Sequence, residues 1–193
     1  MKRLLLLLVL TSSVSVYAQK WAKQFDFVDQ CICGLSLVGK DNKIGYVNEA
    51  GKIIIPVIYD EGLTFSEGFT AARIGTAWTY FDSTGKKMSD EQFSDAQSFH
   101  NGMAAVMKNK QYGYIDTKGN TVIDYQFTNA RAFAEEVAPV ANERGLWGYI
   151  NSKGEFVIMP EYTFADSFDN HEARVIKGSQ VYYIDKDNKK LHE

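Results

Sequence analysis

Short apolar runs separated by turn residues recur along the chain and predict β-strands. Residues 44–47 and 52–55 are largely apolar, and the residues between them read Asn-Glu-Ala-Gly. An Asp or Asn followed three positions later by Gly is typical of a type I turn, with Gly in the left-handed region. The pattern predicts a β-hairpin with a Gly bulge. Helical periodicity is weak, and we expect any helical turn in the linkers, such as residues 95–99.

This hairpin pattern returns about every 34 residues. Each copy carries a Tyr, then an Asp or Asn two positions later, with further aromatic residues near thirteen and nineteen positions after the Tyr. A fixed period of this size indicates a repeat architecture. The recurring tyrosines are Tyr46, Tyr80, Tyr114, Tyr149 and Tyr183.

The repeat defines a single domain, residues 19–193, that starts and stops in the middle of a unit. We expect an all-β fold of tandem hairpin repeats with roughly three short strands per unit. An open twisted solenoid is favoured because each unit is short for a propeller blade. The alternative is a closed five-unit propeller-like ring, in which the two end halves complete one unit and remove exposed edges. The units are a half repeat at 20–42, repeats near 43–76, 77–110, 111–145 and 146–179, and a half repeat at 180–193.

The recurring aromatic residues are predicted to form a shared core rather than an exposed stacking ladder. A place filled by Phe in four units needs no polar contact and is typical of packing between units. The best candidates for exposure stand two positions before the Tyr: Trp78, Tyr112 and Trp147.

Composition agrees with a sheet protein and excludes other classes. The chain has 13% aromatic residues, 15 Gly, 3 Pro and 2 Cys, which excludes collagen and a disulfide-dense mini-protein. With 45% hydrophobic residues it is not typical of a disordered tail. The formal net charge of −3 gives no reason to expect nucleic acid as a partner.

The first eighteen residues resemble a secretory signal. Lys2 and Arg3 precede seven apolar residues, and Val16-Tyr17-Ala18 has the small-x-small form of a cleavage site. The apolar run is much shorter than the roughly 20 residues that a membrane span needs. We therefore predict cleavage between Ala18 and Gln19, export to the periplasm or beyond, and no membrane insertion of the mature chain.

One stretch carries a family resemblance. Residues 146–154 read Leu-Trp-Gly-Tyr-Ile-Asn-Ser-Lys-Gly, and residues 112–119 and 44–51 are similar. This iterated motif resembles the bacterial WG-repeat family, also called KWG. The second unit departs from it, with Trp78-Thr79 in place of Trp-Gly. The resemblance implies an all-β repeat protein, often exported and presumed to act by binding, and it implies no catalytic residue.

The sequence contains no motif for catalysis, and we expect no cofactor, no metal and no enzymatic activity. It lacks a Gly-x-Ser-x-Gly, a phosphate-binding Gly-rich loop and a His-Glu-x-x-His. We hypothesise a non-enzymatic module that binds a protein or envelope component. The alternative is a hydrolase or binder acting on envelope polysaccharide. Two departures from the repeat, Glu136 and His171, fall at one equivalent turn. Together with the neighbouring Asn101 and Asn170 they mark a candidate contact surface, called here the turn edge.

The two cysteines leave three readings. Cys31 takes the place that Phe65 holds in the next unit, and Cys33 takes a turn position. A small core residue beside one exposed thiol is favoured. A strained or intermolecular disulfide comes second and a metal site third.

Overall fold

In a computed structural model of the protein, which describes residues 20–193, almost every element is a β-strand. The predicted signal segment and its cleavage site at Ala18 and Gln19 lie outside the described residues. A short 3-10 helix, Lys20–Gln24, comes first. The strands that follow are β1 (Phe27–Val28), β2 (Leu35–Lys40), β3 (Lys43–Asn48), β4 (Ile53–Tyr59), β5 (Glu61–Gly62), β6 (Phe69–Ile74), β7 (Ala77–Asp82), β8 (Asp95–Ala96), β9 (Met103–Lys108), β10 (Gln111–Asp116), β11 (Thr121–Phe127), β12 (Asn129–Ala130), β13 (Val137–Ala141), β14 (Trp147–Asn151), β15 (Phe156–Tyr162), β16 (Phe164–Ala165), β17 (Ala173–Lys177), β18 (Gln180–Ile184) and β19 (Lys190–His192).

These strands form five antiparallel sheets, numbered here in chain order. Sheet 1 contains β1–β4, sheet 2 β5–β7, sheet 3 β8–β11, sheet 4 β12–β15 and sheet 5 β16–β19, each with sequence neighbours paired. Four sheets thus have four strands rather than the predicted three. The additional strand is the linker, where a helical turn was expected. The linker runs beside the next strand instead, and its Gln97 N–H donates to the carbonyl of Ala105 at 3.0 Å.

Each sheet joins the back half of one sequence repeat to the front half of the next. Strands β9 and β10 pair across the predicted boundary at residues 110 and 111. The N-terminal half repeat therefore lies in sheet 1 with the first repeat, and the C-terminal half repeat lies in sheet 5 with the fourth. In the closed-ring alternative the two halves were expected to complete one unit together. Within residues 20–193 each half instead pairs with the repeat beside it in the chain.

The predicted type I turns are present with their caps. The Asn48 side-chain oxygen accepts from the N–H groups of Ala50 and Lys52 at 3.1 and 3.0 Å. Gly51 follows with a φ of 78°, and in the last unit Asn188 takes the same conformation with a φ of 63°. These turns join the third and fourth strands of a sheet. The side-chain cap and the positive φ of each turn therefore fix where the fourth, outer strand begins.

The core lies between the sheets and consists largely of the recurring aromatic residues. Four clusters of buried residues link sheets 1–2, 2–3, 3–4 and 4–5. Among residues 20–193, no such cluster links sheet 5 back to sheet 1. The prediction of a shared core is confirmed. The core also contains the residues two positions before the Tyr, which were the best candidates for exposure: Trp78, Tyr112 and Trp147 are only 5, 8 and 8% exposed.

Four of the repeat tyrosines also fasten each sheet to the next one. The hydroxyl of each donates to the main-chain carbonyl seventeen residues further on, at 2.6–2.8 Å. The pairs are Tyr46 with Leu63, Tyr80 with Gln97, Tyr114 with Arg131 and Tyr149 with Asp166. Burial raises the pKa of Tyr46 to about 12, so this hydroxyl keeps its proton and remains a donor.

The Gly before the Tyr is required by a bulge in the outer strand. The pairing of β14 with β15 shifts register between Trp147 and Tyr149, which brings the main chain of β15 close to Gly148. A Cβ on Gly148 would lie 2.5 Å from the carbonyl oxygen of Ile158. In sheet 2 the place is taken by Thr79, and there residues 83–92 form no outer strand. In sheets 1, 3 and 4 the Gly therefore occurs together with an outer strand of seven residues. Sheet 5 has Tyr182 at this place and an outer strand, β19, of only three residues.

The N-terminal 3-10 helix covers the outer side of sheet 1. The Trp21 ring lies against Gly51, just as Ile54 of sheet 1 lies against Gly85 of sheet 2. The Trp21 indole N–H also donates to the carbonyl of Glu49 at 3.3 Å. Trp21 therefore takes the place of a residue from a preceding sheet. Over the same range of the chain, 20–193, none of the helical residues forms a segment that would cross a bilayer.

Candidate functional site

A second set of turns, joining the first and second strands of each sheet, carries the turn edge. Each is a two-residue turn in which both residues have positive φ. Such type I′ turns favour Asn-Gly, because most other residues are strained there. In chain order the pairs are Cys33–Gly34, Glu67–Gly68, Asn101–Gly102, Glu135–Glu136 and Asn170–His171.

Glu136 occupies a conformation that suits Gly, with a φ of 75° where Gly102 has the same value. A side chain in the left-handed region costs about 1–2 kcal/mol. We expect Glu136→Gly to raise the free energy of unfolding by about 1 kcal/mol, measured by urea denaturation. Glu136→Ala is the control, because it removes the carboxylate and keeps the Cβ. An equal gain from the Ala variant would contradict strain as the cause.

Carboxylates tie some of these turns to the next. The Glu67 carboxylate accepts from the N–H groups of Asn101 and Gly102 at 2.8 and 2.9 Å. The Glu135 carboxylate likewise accepts from the His171 N–H at 2.9 Å and contacts His171 Nδ1 at 3.0 Å. Lys186 Nζ lies 3.1 Å from the same carboxylate and donates to the Glu135 carbonyl at 2.7 Å. A Glu in every second unit therefore holds the turn of the following unit.

The hydrogen bond from the His171 N–H, and next the bond from Lys186, lower the pKa of Glu135 to about 2. The folded state thus favours the carboxylate, which contributes stability above the ordinary pKa of 4.5 and loses it as the pH falls towards 2. We expect Glu135→Gln to be less stable than wild type at pH 7, with the gap closing between pH 4.5 and 2. Urea unfolding at several pH values measures this. Glu136→Gln is the control, and a constant gap for Glu135→Gln would contradict the linkage.

A groove of about 670 Å³ opens on the turn edge between sheets 3, 4 and 5. It contains Asn101 and Glu136 of the predicted surface. Asn170 lines a smaller cavity of about 330 Å³ on sheet 5, and His171 is joined to the groove only through Glu135. The full lining is Asn101, Met103, Phe133, Glu135, Glu136, Val137, Asn151, Ser152, Val157 and Lys186.

The sequence reading missed Glu135 and Lys186, which shape this groove. The available signal was the alternation of Glu and Asn at equivalent places, residues 67, 101, 135 and 170. Chemically, Glu135 is ionised at neutral pH and does not serve as a proton donor. Glu136 is exposed, and no hydrogen bond or ion pair among residues 20–193 engages its carboxylate. The groove therefore offers polar groups for recognition over an apolar lining.

The cysteines lie away from the groove, and the favoured reading of Cys31 is wrong. Both Cys31 and Cys33 are exposed and carry free thiols. The Phe65 ring, at the place equivalent to Cys31, packs on Tyr46 of the preceding sheet at a centroid distance of 5.3 Å. Cys31 belongs to sheet 1, and no sheet within residues 20–193 precedes sheet 1 to cover this position.

Comparison with known proteins gives a family and a fold. Residues 44–75, 78–112, 112–143 and 147–178 match the family model for the WG-containing repeat. None of the curated proteins is similar to this chain.

Among solved structures, Hsv2p from Kluyveromyces lactis is 11% identical, with a TM-score of 0.54 over 84% of this chain and 62% of that one. BamB from Moraxella catarrhalis is 14% identical, with a TM-score of 0.47 over 81 and 56%. The WD40 β-propeller domain of Doa1 is 8% identical, with a TM-score of 0.46 over 88 and 71%. The chain spans about three fifths of the length of the first two, and the Hsv2p likeness concerns the fold alone.

Proposed function

Since the chain belongs to the WG-containing repeat family, we propose that it is an exported, non-enzymatic module that binds a protein partner at the turn edge. The observation that carries the proposal is the groove of about 670 Å³ that this edge forms across three sheets. Repeat folds present extended surfaces of this kind to partners. The strained Glu136 in the groove supports a role in binding, because backbone strain clusters at functional sites.

A capture experiment with charge reversals on the turn edge tests the proposal. The immobilised protein is exposed to envelope extract, and the captured proteins are compared with those of a Glu136→Arg, His171→Glu double variant. We expect a specific partner to be lost with the double variant. Asp124→Arg is the control, because Asp124 is exposed on the outer strand β11 and is not among the residues that line the groove. Equal capture by all three proteins would overturn the role of the edge.

Export is a separate part of the proposal and has its own test. The basic start, apolar run and Val16-Tyr17-Ala18 site support it. We expect the protein recovered from a bacterial host to begin at Gln19, as measured by intact mass. Ala18→Arg removes the small residue before the cut and is expected to leave the longer form. A protein that keeps Met1 in the cell would contradict export.

We also propose that the five sheets stand in an open array. Val181 is 47% exposed and Tyr183 is half-buried, whereas Tyr46, Tyr80, Tyr114 and Tyr149 are at most 2% exposed. A sheet covering the outer side of sheet 5 would bury both residues. Small-angle scattering is expected to give an elongated particle. A compact ring-shaped envelope would contradict an open array.

A further inference from the structure

We infer that the groove receives the free C-terminal carboxylate of a polypeptide on the main-chain N–H groups of Glu135 and Glu136. The inference rests on the proposed binding function and names the chemistry of the bound group. In the neighbouring unit the chain itself fills the equivalent place with the carboxylate of Glu67.

The turn of sheet 3 shows what such a turn binds. The Glu67 carboxylate sits on the N–H groups of Asn101 and Gly102, at 2.8 and 2.9 Å. Hydrogen bonds of N–H groups to a charged acceptor are stronger than those to a neutral one. Two successive positive φ values, 53° and 75°, give this turn its geometry. The Asn101–Gly102 turn therefore receives one carboxylate on its two N–H groups.

The turn of sheet 4 has the same geometry and lacks its carboxylate. Glu135 and Glu136 have φ values of 49° and 75°, but the place equivalent to Glu67 holds Asn101. Within residues 20–193 neither of their N–H groups has a hydrogen-bond acceptor. The groove opens at this point, with Asn101, Glu135 and Glu136 all in its lining. A carboxylate supplied by a partner fits where the chain's own is missing.

The surroundings favour a peptide terminus. Lys186 of the lining is paired with the Glu135 carboxylate at 3.1 Å and so offsets that negative charge beside the turn. Met103, Phe133 and Val157 line the groove with apolar groups. In a C-terminal residue the carboxylate and an apolar side chain share one carbon atom, so both contacts are made together. Capture of a C-terminal carboxylate by backbone N–H groups is an established mode of peptide recognition. The groove volume is also within the range of about 300–1,000 Å³ for small-ligand sites.

The test is an amide NMR titration with N-acetyl-Ala-Leu as the free acid, and with its C-terminal amide as the matched probe. The free acid is expected to shift the amide signals of Glu135 and Glu136, and the C-terminal amide is not. Asn101→Glu is expected to shift the same two signals without any ligand and to weaken binding of the acid at least about tenfold. Asn101→Gln has the same length without the charge and should bind within about twofold of wild type. Unchanged acid binding by the Glu variant would overturn the inference.

Two further probes decide the source of the carboxylate. N-acetyl-Asp-amide binding as well as the free acid would overturn the C-terminal assignment, and so would tighter binding of glucuronate. Glu136→Gln is expected to tighten acid binding about threefold by removing a like charge, and weaker binding by that variant would also contradict the inference. These titrations use no cellular partner. The proposed function therefore fails in the capture experiment, and this inference fails in the titration.

Discussion

Gly148→Ala is expected to lower the free energy of unfolding by about 2–3 kcal/mol, because overpacking a filled site costs this much. The added Cβ would lie 2.5 Å from the Ile158 carbonyl oxygen and 2.8 Å from the Pro160 nitrogen. These atoms belong to the main chain of β15 and do not rotate away. The variant therefore displaces the bulge of the outer strand. Urea denaturation measures the loss, with circular dichroism as the signal.

Thr79→Ala is the matched control for this prediction. Thr79 occupies the equivalent position in sheet 2, where residues 83–92 take an irregular path instead of an outer strand. A side chain is already accommodated there, so the smaller Ala is expected to change stability by less than about 1 kcal/mol. Equal losses at the two positions would show that the outer strand does not impose the Gly. No loss at Gly148 would show the same.

The sequence predicts the type I turns and the core well because both depend on local chemistry or on a recurrent residue type. Asn48 and Gly51 determine their turn through a side-chain cap and a positive φ, whatever the rest of the chain does. The Phe at nineteen positions after each Tyr is buried in all four units, as its lack of polar groups predicts. These features are properties of one unit and need no knowledge of the neighbouring units.

The sequence does not show in the same way at which residue one sheet ends and the next begins. A periodic sequence looks the same wherever it is divided, and the division is decided by the hairpin between the second and third strands. That hairpin closes through Asp41 and Asn42, whose φ values are 52° and 59°, and it joins residues on both sides of the unit boundary. Asp41 and Asn42 are polar residues typical of a turn, but the sequence alone does not show that they close a two-residue hairpin.

The groove depends on contacts between units and was predicted only in part. Glu136 stood out as a departure from the repeat and Asn101 as its neighbour on the turn edge, and both line the groove. The carboxylate of Glu67 reaches the turn one period later, a contact that no local pattern expresses. The absence of its counterpart at Asn101 has meaning only once that contact is known. In this repeat protein the core is therefore predicted by residues that recur in every unit. The candidate site lies where a contact between units, from a carboxylate to the next turn, is missing.

Tyr149→Ala is expected to have the largest effect, a loss of about 3–5 kcal/mol, because it removes a fully buried aromatic ring. The ring packs on Phe168 at a centroid distance of 4.9 Å, and its hydroxyl donates to the Asp166 carbonyl at 2.8 Å. Tyr149→Phe isolates the hydroxyl and should lose about 1–2 kcal/mol, since a buried carbonyl loses its donor.

The matched variants at Tyr183 separate the link between sheets from the ring itself. Tyr183 holds the same place in sheet 5, but it is half-buried, and its hydroxyl makes no hydrogen bond within residues 20–193. It stacks instead on His192 at a centroid distance of 4.5 Å. Tyr183→Phe should therefore be neutral and Tyr183→Ala should lose less than about 1 kcal/mol, as measured by thermal and urea unfolding. A loss at Tyr183 equal to that at Tyr149 would mean that a further surface covers sheet 5, and the open array would then be wrong.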